Sequence, residues 1–114
     1  RQKPDLSIGP VTLTPARPKI GDTLVMNFDI RSKAKTAQDL LIDFTVFFMK
    51  ANGKHGRKVF KLKRVSLEPQ AVRGLIARII LADLTTRKHY PGAHIVELLV
   101  NGTSFPLCEF ELRK

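Results

Sequence analysis

Tryptophan is absent from the 114 residues, and tyrosine and cysteine each occur once. A lone cysteine, Cys108, cannot close an internal disulfide, and small β-rich secreted modules often carry one, so its isolation favours the cytosol. With Tyr90 the only tyrosine and most of the seven phenylalanines at core positions, the aromatic platform that single-stranded nucleic acid stacks on has weak support. No apolar run approaches the roughly 20 residues of a membrane-spanning helix, so a soluble protein with no membrane partner is expected. The first residue is Arg1, and no basic-then-apolar leader follows it, which suggests a piece of a longer or processed chain. At this length the expectation is a short linker over residues 1–5 and a single domain over 6–113.

Catalytic signatures are missing too. There is no G-x-S-x-G nucleophile elbow and no glycine-rich phosphate loop. His55, His89, His94 and Cys108 match no zinc pattern, because paired ligands would have to occur twice and only His89 and His94 approach that form. Neither a metal nor a cofactor is expected. Cys108 alternates with Phe110 and Leu112, which fits a buried thiol better than a nucleophile. Glu109 and Glu111 share the outer face of the same strand, where charges guard sheet edges.

What is present alternates. "DTLVMNFDIR" places Leu24, Met26, Phe28 and Ile30 on one face, a half-buried strand. "LLIDFTVFFMK" places Ile42, Phe44, Val46 and Phe48 inward and keeps a largely apolar second face, so a central strand with partial outer cover is expected. "ANGKHG" is a hairpin connection, and "RKVFKLKRVSL" changes phase near Arg64, as a bulged strand does. "GLIARIIL" and "HIVELLV" supply two more strands, and Asn101-Gly102 signals a tight hairpin into "TSFPLCEFELR". The parity of Leu98 facing Phe105 conflicts with Cys108, Phe110 and Leu112 pointing inward, which predicts a bulge or kink at Pro106. With a proline-bounded edge strand over Leu6 to Thr14, the count is seven. The fold class is all-β, a seven-stranded antiparallel sandwich of immunoglobulin-like or fibronectin-type-III-like character.

The stretch Thr85 to Gly102 crowds two hydroxyls, two cations, a histidine and a tyrosine before Pro91-Gly92. His94 enters the next strand where immunoglobulin-type domains often place a corner tyrosine, so His94 with Tyr90, Pro91 and Gly92 reads as a structural corner. No second base or carboxylate lies near His94 in sequence to support catalysis. His94 is therefore expected to be buried, with a ring nitrogen on backbone.

Acids are scarce. Ten Asp and Glu stand against twenty Lys and Arg, a net charge of +10, which raises the odds of an anionic partner. Lys54, Arg57, Lys58, Lys61, Lys63 and Arg64 fall in one hairpin and strand, with Lys61 and Lys63 expected to share a face, and Arg87 and Lys88 add a second cluster. Such a display suits phosphates, and it also suits a guarded sheet edge. The overall excess tips the reading towards binding.

Three stretches, "VFFMKANGK", "RKVFKLKRVSLEP" and "LTTRKHYPGAHIVELLVNG", followed by "PLCEFEL", resemble the C-terminal region of bacterial DNA alkylation repair proteins. The N-terminal part of that family is a HEAT-like-repeat alkylpurine DNA glycosylase. The likeness runs from about Ser7 to Leu112. It implies an accessory module of the bacterial cytoplasm, partnered by the N-terminal HEAT-like repeat domain of its parent protein. The family's catalytic and base-handling residues lie in those repeats, so none transfers to a residue here and no enzyme activity is expected. Two functions then compete: sequence-independent affinity for duplex DNA through the cations above, and protein docking through outer apolar residues Leu41, Phe47, Met49, Ile76 and Ile80.

Overall fold

The computed structural model describes residues 3–84 and 87–114. Arg1 and Gln2 of the expected linker, and Thr85 and Thr86 of the crowded stretch, lie outside the described residues. Asp5, also assigned to the linker, is tied down: its N–H donates to Gln38 Oε1 at 2.9 Å and its carbonyl accepts from Gln38 Nε2 at 3.0 Å.

Eight strands form: β1 (Leu6–Ile8), β2 (Thr12–Thr14), β3 (Thr23–Ser32), β4 (Gln38–Met49), β5 (His55–Leu67), β6 (Val72–Ile80), β7 (Gly92–Val100) and β8 (Thr103–Leu112). The expected count of seven is corrected because the first edge strand breaks in two. Ile8 faces Ile30 while Thr12 faces Asn27, so four steps on the edge span three on β3. Pro10 sits in that break, where it has no N–H to give the ladder.

In one sheet β3 is central, with β6 on one side and β1 and β2 end to end on the other; the second sheet runs β5-β4-β7-β8. Every strand pair is antiparallel. Inward side chains of both sheets, among them Leu24, Met26 and Ile79 from the first and Ile42, Val46 and Leu98 from the second, make one buried core. These residues follow the period of two, which is why each strand buries one face.

Both expected irregularities occur, slightly displaced. In β5 the extra residue is Leu62, between Lys61 facing Asp43 and Lys63 facing Ile42. Asp43 and Ile42 lie on opposite faces, so Lys61 and Lys63 part company, correcting the expectation that they share one. In β8 the extra residue is Leu107, between Pro106 facing Glu97 and Cys108 facing Val96.

Candidate nucleic-acid interface

The β4–β5 hairpin closes tightly. Lys50 N–H donates to Lys54 O at 2.8 Å, Gly53 N–H to Lys50 O at 3.1 Å, and Gly53 adopts φ 81°, a left-handed value that glycine takes without strain. His55 and Gly56 already belong to β5. The Lys50 stem lies close over Gly56: a Cβ there would stand 2.9 Å from Lys50 Cε, and the flexible lysine would have to shift to admit it. Met49 lies over Gly92 in the same way, where a Cβ would stand 2.9 Å from Met49 Cε.

The β6–β7 loop is held against this end from inside. Leu84 and Arg87 exchange backbone hydrogen bonds of 2.8 and 3.1 Å. His89 N–H donates to Asp83 Oδ1 at 2.7 Å, and this bond is the main reason the Asp83 carboxyl lies below the usual range. The His89 ring is buried edge-on against Phe48, 5.6 Å between centroids. Burial lowers its pKa, so the 3.4 Å approach of Nδ1 to Asp83 is not a charged pair at neutral pH, and among the described residues neither ring nitrogen has a hydrogen-bond partner. Arg87 is fixed by stacking, its guanidinium 4.8 Å from the Phe48 ring and 5.7 Å from that of Phe60. Lys58 Nζ lies 5.6 Å from the Phe60 ring.

Hairpin and loop border an open cleft of about 360 Å³ lined by Phe48, Met49, Lys50, Gly56, Arg57, Lys58, Arg87, Lys88 and Tyr90. Five of these are cations and none is an acid. Four of the five, Arg57, Lys58, Arg87 and Lys88, come from the sequence-predicted set. Lys54 lies in the hairpin turn outside the cleft, and Lys61, Lys63 and Arg64 continue along β5, the edge strand of its sheet. Lys50 was missed. Its only sequence signal is its place immediately before the turn, since nothing local reveals which loop it will meet. Tyr90, read as part of the corner, also lines the cleft.

His94 lies behind this surface and is fully buried, 0% exposed. Its Nδ1–H donates to Gly92 O at 3.0 Å, and Nε2 accepts from Met49 N–H at 3.4 Å, so both nitrogens are used on backbone. Burial holds its pKa below the ordinary imidazole value. Without solvent access it cannot serve as a base, and it acts by joining β4 to β7. Among the described residues no group of His, Cys, Asp and Glu could hold a metal ion.

The docking candidates do not form one surface. Leu41, Phe47 and Met49 are half-buried on β4, whereas Ile76 and Ile80 stand exposed, 48% and 56%, on β6 of the other sheet beside Val72 at 48%.

Residues 7–114 match the family described as the C-terminal Ig-like domain of uncharacterised protein YhaZ. The chain is 31% identical over 102 residues to the uncharacterized protein YhaZ of Bacillus subtilis, covering 90% of this chain and 28% of that protein. The structure of Pseudomonas fluorescens alkylpurine DNA glycosylase AlkC bound to DNA containing an abasic site analog is similar over 99% of this chain and 32% of that one, with TM-score 0.93 and 38% identity. A β-glucosidase of Listeria innocua shares the fold alone, with TM-score 0.76 and 14% identity. The chain thus spans about a third or less of the YhaZ and AlkC chains it matches. By sequence and by fold, it belongs to the YhaZ C-terminal Ig-like domain family.

Proposed function

We propose that this chain is a non-catalytic accessory module that adds sequence-independent DNA affinity to a DNA alkylation repair protein of the bacterial cytoplasm. The observation that carries the reading is the meeting of five cations, from hairpin and loop, around one acid-free cleft, continued by Lys61, Lys63 and Arg64 along the β5 edge. Phosphates are the ligands such a surface suits, because paired cations on a rigid scaffold release condensed counterions when they bind. The DNA-bound state of AlkC, the 38% identical neighbour, supports the same partner. Among the described residues there is no helix for the major groove, so base sequence should not matter.

The test is titration of the domain with duplex DNA across salt concentrations. Binding in the range of about 10⁻⁴ to 10⁻⁶ M at physiological salt is expected, with log K falling against log salt by about 0.9 per phosphate neutralised. Absence of salt-dependent binding even at low salt would remove the DNA reading. Docking onto the rest of its own protein, through the Val72, Ile76 and Ile80 stripe on β6, would then lead, since exposed apolar rows of that kind mark contact surfaces.

A further inference from the structure

We infer that the cleft takes a single unpaired nucleotide of a DNA strand, its phosphate among the cations and its base against the Tyr90 ring. This rests on the DNA reading and narrows it. At about 360 Å³ the cleft belongs to the size class of small-molecule sites, roughly 300 to 1,000 Å³. It can admit one nucleotide, whereas an intact duplex keeps its bases stacked inside a continuous backbone and can offer only phosphates to the rim. The lining also offers more than a phosphate uses. Phe48, Met49 and Tyr90 share it with Lys50, Arg57, Lys58, Arg87 and Lys88, and a nucleotide has the same division into a flat apolar part and an anionic part.

The backbone that carries Tyr90 is fixed before any ligand arrives. On its N-terminal side the chain is pinned by the His89 bond to Asp83, and on its C-terminal side by Pro91 and the Gly92 carbonyl held by His94. Tyr90 is half-buried, leaving part of its surface to solvent. Arg87, already lying on Phe48 and Phe60, contributes a charge that needs no further ordering. Stacking of this kind is indifferent to base identity.

The experiment uses a property of the composition. Tyr90 is the only tyrosine and there is no tryptophan, so tyrosine fluorescence reports this cleft alone. The domain is titrated with a short single-stranded oligonucleotide, with the blunt duplex of the same sequence, and with a free deoxymononucleotide. The single strand should quench Tyr90 and bind at least about fivefold tighter than the duplex, with the mononucleotide far weaker than either. Tyr90→Ala should weaken single-strand binding by about tenfold, measured by anisotropy of a labelled strand, and weaken duplex binding by a clearly smaller factor; Tyr90→Phe should bind as the parent does, and equal losses on strand and duplex would overturn the stacking role. If strand and duplex bind alike with Tyr90 fluorescence unmoved, the inference fails and the phosphate reading stands. If the mononucleotide quenches as well as the strand does, the site is not one for a strand. If nothing binds, both readings fall. Should Tyr90→Ala not fold, the quenching of the parent still decides.

Discussion

At the scale of single residues, burial decides which reactive groups react. His94 resists protonation because its ring is desolvated, against a smaller opposing effect of the Gly92 hydrogen bond. In the unfolded chain a histidine titrates near 6.5, so below that pH the unfolded state takes up a proton that the folded state refuses. Stability is therefore complete above about pH 6.5 and lost as pH falls below it, and His89 adds an effect of the same sign. Thermal melts should show a nearly constant Tm above neutrality and a decline towards about pH 5, and His94→Gln should flatten that decline while lowering Tm throughout. An unchanged slope in the variant would assign the effect elsewhere. Cys108 illustrates the same point. Burial pushes its thiol up to about 11, with Glu109 adding to the shift, and its Sγ rests 3.7 Å from Met26 Sδ. Little thiolate forms at neutral pH, so a disulfide reagent should label the folded protein at least about tenfold more slowly than the denatured one. Equal rates would show that the thiol is open.

At the scale of elements, the clearest case is the β7–β8 turn. Asn101 and Gly102 adopt φ 49° and 83°, the left-handed pair that a two-residue hairpin demands. Asn101 does more than turn the chain: its Oδ1 accepts from Leu41 N–H at 2.8 Å and its Nδ2 donates to Asp39 O at 3.2 Å, tying the hairpin to β4. Asn101→Ala should cost about 2 kcal/mol, combining positive-φ strain with lost hydrogen bonds. Asn101→Gly should recover only the strain, and denaturant melts of the two variants separate the contributions. A glycine variant as stable as the parent would mean that the side-chain bonds contribute nothing. The turn was legible in the Asn-Gly pair, but the bonds to β4 were not, because residues some sixty positions away must first arrive beside it. The bulges behave likewise. Conflicts of parity announced both, yet which residue bulges out depends on the partner strand, and Leu62 and Leu107 took that place instead of Arg64 and Pro106.

At the scale of the whole molecule, charge is concentrated where two loops meet and then follows one edge. Reversing the edge group by Lys61→Glu, Lys63→Glu and Arg64→Glu should weaken duplex binding and flatten its salt dependence while leaving the quenching of Tyr90 by single strands in place. The Tm should move little, because solvated cations contribute about 0 to 1 kcal/mol each. Loss of the quenching in that variant would show that edge and cleft are not separable. The long strands, most inward faces and the Asn101-Gly102 turn were determined by the sequence alone, since alternation and turn chemistry are local properties that each strand carries by itself; the break in the first edge strand and the faces of Lys61 and Lys63 were not. The net charge and its clustering were equally plain. Only the tertiary structure decided that Lys50, Arg57 and Lys58 face Arg87, Lys88 and Tyr90 across one cleft, that Lys61 and Lys63 part, and that the apolar candidates on β4 and β6 belong to different sheets. The reason is physical. A period of two says which way a side chain points from its own strand, but not which distant loop it will meet once the two sheets close over their core.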